Sequence, residues 1–154
     1  MLTPGLVSVT FRKLSPAEIV ALVRRAGVHA LEWGGDIHVP HGDLGRAREA
    51  RELTADHGLT VAAYGSYYRV GRSEEDGLPF ERVLETALEL GAPLIRVWGG
   101  TTGSAATGPA ERSRLFAELA RIAALAGRAG LRVAPELHGG TFNDTHHANH
   151  ALLA

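Results

Sequence analysis

The sequence contains no cysteine. Disulfide bridges, thiol nucleophiles and thiolate metal sites are therefore excluded. Lysine is nearly absent as well: Lys13 is the only one, and the other basic residues are arginines. No apolar run approaches the roughly 18 residues a membrane span needs. Met1 to Thr10 has neither a basic start nor a long apolar core, so no signal peptide is expected. Charge of one sign is not in excess either. A formal net charge of -1 offers no field for nucleic acid or an anionic membrane. The expectation is a soluble, cytoplasmic chain that acts on a small molecule.

What is present is a repeated pattern. With 154 residues, 45% apolar and 21% charged, the chain is long enough for one domain, 1–154, with a real core. Ser15-Pro16-Ala17-Glu18 places an N-cap serine, a proline at the first helical position and a glutamate at the third, which is helix-start chemistry. Ile19, Val20, Leu22 and Val23 follow on one face and Gly27 ends the helix. The same order of helix, glycine, apolar strand and polar loop recurs at Gly58, Gly91 and Gly130. A spacing of roughly 31 to 39 residues suits βα units. Strands are expected at 5–10, 28–33, 59–64, 93–98 and 131–134, and Gly65 to Gly77 is expected to be a polar loop. Strands alternating with helices imply a parallel sheet.

Two parallel architectures compete. The first strand–helix turn, Thr10 to Leu14, carries no GxGxxG and no GxxxxGK[ST] phosphate loop, which argues against a doubly wound sheet. Chemistry-bearing residues fall instead at successive strand ends: Glu32 and Trp33, Tyr64, Arg96 and Trp98, then Glu136 and His138. That is where a TIM-type (β/α) barrel puts its site. The fold expected is therefore α/β, a parallel TIM-type barrel, incomplete, with about five of eight βα units. Open first and fifth strands lead to the expectation of a piece of a longer chain, or of a homo-oligomer that covers the edges.

The stretch Pro135-Glu136-Leu137-His138-Gly139-Gly140-Thr141 organises this pattern. Alternation points Glu136 and His138 to one side, and a carboxylate at a buried strand's mouth needs a partner. A metal ion, a polar substrate or a neighbouring strand's side chain would serve. Together with Glu32-Trp33-Gly34-Gly35-Asp36, His38, Tyr64 to Arg69, Ile95 to Gly100 and Asp144-Thr145, this stretch resembles the sugar phosphate isomerase/epimerase family, within the xylose isomerase-like TIM barrel superfamily. The resemblance covers the chain but only the N-terminal portion of that fold.

The resemblance implies a divalent-metal enzyme (Mn, Mg, Zn or Co) acting on a sugar or sugar phosphate through an enediolate. It implies that Glu136 is a metal ligand with a part in proton transfer. The family's remaining ligands lie on sixth, seventh and eighth strands, which this sequence does not have, so the isolated chain is expected to be inactive or very weak. Glu32, Trp33, His38, Tyr64, Arg96, Trp98 and His138 are the candidate substrate contacts. Each also has a structural reading: a salt bridge between Glu32 and Arg96, core packing for the aromatics, and solvent exposure for loop histidines such as His38 and His41. His146 and His150 have metal-chelating i, i+4 spacing, but His147 stands where an HExxH helix has Glu, and an exposed helix face is the simpler reading. A polyol or keto-acid dehydratase would use the same enolate chemistry. A non-catalytic assembly protein of paired half-barrels is the alternative from another class, and a DNA-repair nuclease is disfavoured by the charge.

Overall fold

A computed structural model describes residues 3–153. The elements follow the expected alternation: β1 (Gly5–Val7), α1 (Pro16–Arg25), β2 (Ala30–Gly34), α2 (Leu44–Asp56), β3 (Thr60–Val70), α3 (Phe80–Leu90), β4 (Leu94–Gly99), α4 (Pro109–Arg128), β5 (Arg132–Pro135) and α5 (His146–Leu153). The strands form one five-stranded sheet in the order β1-β2-β3-β4-β5. β2 pairs in parallel with β1 and with β3, with Leu6 opposite Leu31 and Trp33 opposite Tyr64. A doubly wound sheet reverses direction at a switch point. Here each strand adds to the same side of the last, as in an arc of a TIM barrel. Among the described residues no helix is long and apolar enough to cross a membrane.

The local chemistry explains the boundaries. Glu18 N–H donates to Ser15 Oγ at 3.4 Å, and Ser15 N–H donates back to Glu18 Oε2 at 2.8 Å. This reciprocal cap, with Pro16 behind it, starts α1. Ile19, Val20 and Val23 form its buried face. Gly27, Gly58, Gly91 and Gly130 all have φ between +68° and +80°, the left-handed conformation that ends a helix without steric penalty in glycine.

Two strands differ from expectation. β1 stops at Val7, and Ser8–Phe11 turns into a 3-10 helix, because Ser8 is drawn inward: its Oγ accepts from Gly34 N–H at 2.9 Å. β3 runs on to Val70 through residues expected to form a loop. Its polar and aromatic side chains have partners within the fold, so the extended backbone continues past the apolar run.

The described residues divide into two compact units: the chain up to Ser66 with Glu81–Ile95, and Tyr67–Phe80 with Arg96 onward. In the first unit the core holds Ile19, Val20 and Val23 of α1, Leu31 and Trp33 of β2, and Ala47 and Ala50 of α2. In the second it holds Tyr68, Phe80, Val97, Phe142 and the Leu115, Ile122 and Ala126 face of α4.

One buried polar bridge in the first unit can be tested directly. Thr54 Oγ1 donates to Ala50 C=O at 2.6 Å and accepts from Trp33 Nε1–H at 3.1 Å. Both side chains are buried. Thr54→Val keeps the shape and leaves the indole N–H without an acceptor, which is expected to destabilise the chain by about 1–3 kcal/mol. A urea midpoint unchanged from wild type would contradict this.

Candidate functional site

β4 prepares the site through its alternation. Ile95 and Val97 are buried, while Arg96 and Trp98 alternate with them and are half-buried. Residues i and i+2 of a strand share a face, so Arg96 and Trp98 can reach the same group. That group is the carboxylate of Glu136, in the second unit with them. Trp98 Nε1–H donates to Glu136 Oε2 at 2.6 Å, and the Arg96 guanidinium makes an ion pair with the same oxygen. The backbone sets this meeting, because Glu136 N–H donates to Val97 C=O at 2.9 Å and continues the strand pairing beyond β5.

The loop after Glu136 is tied down by a residue that sequence reasoning missed. Asn143 is fully buried. Its Nδ2 donates to the Glu136 carbonyl, and its Oδ1 accepts from Thr141 Oγ1 at 3.1 Å. Phe142 N–H donates to Gly99 C=O at 2.6 Å. Gly99 leaves the room this needs, since a Cβ there would run into Asn143 Oδ1. An asparagine close after a Gly-Gly turn was the available signal. Asp144 accepts from Ser104 Oγ at 2.6 Å and from Ser104 N–H at 3.2 Å, which fixes the loop after β4.

Trp98 is the hub of the cluster. His138 is exposed and stacks on its ring at 4.8 Å with an interplanar angle of 29°. The His138 Nδ1–H points to Gly139 C=O at 2.7 Å. Tyr67 meets Trp98 edge-on at 5.0 Å, and the Arg69 guanidinium lies 4.4 Å from the ring centroid. The Arg96 guanidinium also lies over Tyr67, at 5.4 Å. Neither Tyr67 nor Arg69 was singled out as a candidate contact from the sequence. Tyr67 has φ +57°, a conformation that costs a non-glycine residue on the order of 1–3 kcal/mol and that collects at functional sites.

The first unit treats its candidates differently. Trp33 and Tyr64 are fully buried, and His38 is 5% exposed. Trp33 is bonded to Thr54 of α2, and Tyr64 O–H donates to Val39 C=O at 2.8 Å. His38 Nδ1 lies 2.9 Å from Ser8 Oγ. Trp33 and Tyr64 face the interior of the unit, whereas His38 also lines an open cleft with Lys13 and Ile37. Glu32 is half-buried on β2. His41 lies 2.6 Å from Ser66 C=O through Nε2, close against Gly35, where a Cβ would meet Tyr64 Oη at 2.7 Å and His41 Nε2 at 2.9 Å.

A divalent ion does not fit the residues present. Among the described residues no three His, Asp or Glu side chains gather as a metal site requires. Glu136 offers one carboxylate, and one of its oxygens already carries a guanidinium and an indole N–H. His146, His147 and His150 lie exposed along α5.

With the fold and this geometry in hand, the family can be stated. The chain belongs to the xylose isomerase-like TIM barrel family, whose model matches residues 20–153. Among solved structures it is similar to the "probable 3-DHS dehydratase AsbF" of Bacillus anthracis, with a TM-score of 0.81 and 20% identity over 99% of this chain and 58% of that one. It is also similar to a xylose isomerase domain-containing protein of Salmonella typhimurium LT2, with a TM-score of 0.64 and 19% identity over 84% of this chain and 47% of that one. A xylose isomerase domain protein of Alicyclobacillus acidocaldarius gives 0.65 and 19%, over 97% and 53%. This chain therefore spans roughly half of the structures it matches, and at these identities the likeness establishes the fold. No curated protein matches the sequence.

Burial in the first unit has a consequence for acid stability. Loss of solvent holds the imidazoles of His38 and His41 below the ordinary histidine range. Weaker pulls upward come from backbone bonding (at Leu14 and Ser66 respectively) and from Asp36. A base whose pKa is lower in the folded state binds fewer protons there than when unfolded, so stability rises with pH across that window. The contribution is whole above about pH 6.5 and is lost as pH falls toward the folded pKa. Thermal melts between about pH 7.5 and pH 5 are expected to show a falling Tm. His38→Asn/His41→Gln is expected to melt lower at neutral pH, with the dependence in this window reduced. A double variant that keeps the full wild-type slope would assign the effect to other groups.

Proposed function

We propose that this chain forms the N-terminal part of a sugar or sugar phosphate isomerase or epimerase that works through an enediolate. The observation that carries this reading is the convergence of Arg96 and Trp98 on one oxygen of Glu136. The two donors fix the orientation of the carboxylate and leave its other oxygen to take a proton from carbon next to a carbonyl. The negative charge that then develops on the carbonyl oxygen would be stabilised by the Arg96 cation in the same cluster. The face of Trp98 offers an apolar wall against which sugar C–H groups pack, with His138 beside it as a hydrogen-bonding contact. Glu32 is the candidate contact on β2, while Trp33, Tyr64 and His38 shape that unit from within. The family resemblance brings an expectation of a divalent metal. Its ligands beyond Glu136 are not among the described residues, and no step is assigned to it here.

A dehydratase acting on a cyclic polyol or keto-acid is the second reading. The 0.81 superposition on the Bacillus anthracis protein favours it, and proton abstraction next to a carbonyl is common to both reactions.

With one carboxylate of such a site on this chain, binding is expected and turnover is not. The chain contains two tryptophans, so its two indole N–H signals in an NMR spectrum report on Trp98 and on the buried Trp33. Titration with a panel of ketoses and cyclic polyols in H2O is expected to move the Trp98 signal, and a parallel incubation in D2O reads exchange next to the carbonyl. Any trace of deuterium incorporated next to the carbonyl should vanish in Glu136→Gln. A Trp98 signal that ignores the whole panel would sink the reading.

A further inference from the structure

Two arginines belong to the cluster around Trp98, and they are held differently. Arg96 is paired with Glu136. Arg69 is different: among the described residues no carboxylate pairs with its guanidinium, which rests 4.4 Å from the Trp98 centroid. Its position is not that of a loose surface side chain. Arg69 is half-buried. Its backbone N–H donates to Ser73 Oγ at 2.7 Å, and its carbonyl accepts from Arg72 N–H at 3.0 Å and Ser73 N–H at 2.9 Å. The stem of the side chain is thereby anchored at a fixed turn. Two residues earlier, Tyr67 takes its left-handed φ and sets its ring edge-on to Trp98. Both side chains thus lie against the same indole.

We propose that Arg69 is the recognition residue for an anionic group on the ligand, and that this site takes a polyhydroxylated small molecule carrying a phosphate or carboxylate rather than a neutral sugar. The inference rests on the reading of the Trp98 cluster as a substrate site. A guanidinium held over an aromatic face by its Cζ, here 4.4 Å from the centroid, can still offer a planar fork of N–H donors that matches two oxygens of a carboxylate or phosphate at once. Arg96 is less suited to that role, because its Nη1 is already engaged with the Glu136 carboxylate. The Arg69 guanidinium therefore has no paired carboxylate among the described residues. In a partly desolvated place that is unfavourable unless a ligand supplies the anion.

Paired probes test this on the full chain. D-xylulose is compared with D-xylulose 5-phosphate, and myo-inositol with quinate, each followed through the Trp98 indole N–H with the Trp33 signal as the internal reference. The anionic member of at least one pair is expected to bind about tenfold or more tightly than its neutral partner, the usual scale for a hydrogen bond to a charged group. Arg69→Gln is expected to erase that preference and leave the neutral probe unchanged. Whether the phosphate or the carboxylate gains more identifies the source of the anion. Arg69→Lys keeps the charge and loses the planar donor edge. It is expected to weaken the anionic probe several-fold with little effect on the neutral one, and it serves if the glutamine variant does not fold. Equal binding of neutral and anionic probes overturns the role of Arg69 and leaves the sugar-site reading standing. So does a preference that survives both substitutions, or one that both substitutions weaken equally for neutral and charged probes. No response at Trp98 from any probe overturns both.

Discussion

The carboxylate of Glu136, at the end of the half-buried strand β5, meets donors on β4, and these partners fix the arrangement of this part of the second unit. Arg96 and Trp98 can both reach Oε2 only because they are two residues apart on one strand. The backbone bond from Glu136 to Val97 lies between them. A one-residue slip of β5 against β4 would turn Glu136 away from both donors and leave a partly buried charge unpaired. The site chemistry and the strand register are therefore one constraint. Asn143 extends it, because the carbonyl of the residue that supplies the carboxylate is the one held by the asparagine amide.

The sheet order expresses the same economy on a larger scale. Each of α1 to α4 ends in a glycine with left-handed φ, and the next strand begins within a few residues. Such short connections leave little choice but to lay each strand beside the one before it. The ends that carry Trp98 and Glu136 then arise in equivalent positions of adjacent βα repeats. Repetition in the sequence, more than any single motif, specifies a barrel arc.

Much of this was legible beforehand, and what was not had a physical reason. The alternation of elements, the capping box at Ser15, the stop glycines and the need of the Glu136 carboxylate for a partner could all be read from periodicity and residue type. The extent of β3 could not. Gly65 to Arg69 has the composition of a loop, and only partners distant in sequence make it a strand. Tyr67 and Arg69 were passed over for that reason: residues assigned to a loop carry no alternation from which to infer a shared face. Ser8 was counted as a strand residue because its partner, Gly34 N–H, is 26 residues away. Asn143 lies between the Gly139-Gly140 turn and α5, where an asparagine is ordinarily a cap.

The two tryptophans show where strand-end reasoning reaches its limit. Both follow a charged residue, Trp33 directly after Glu32 and Trp98 two positions after Arg96. Both precede a pair of glycines. By sequence they are equivalent. In the fold, Trp33 takes the helix-facing phase of its strand and gives its indole N–H to Thr54 in the core of the first unit. Trp98 takes the opposite phase and gives its N–H to the carboxylate of the second unit. The difference is one residue of register: Trp33 adjoins Glu32 and so points away from it, whereas Trp98 shares a face with Arg96. Trp98 therefore shares a face with the charged group, and Trp33 does not. The phase of each aromatic relative to its charged neighbour, more than its presence at a strand end, separates the packing tryptophan from the one at the candidate site.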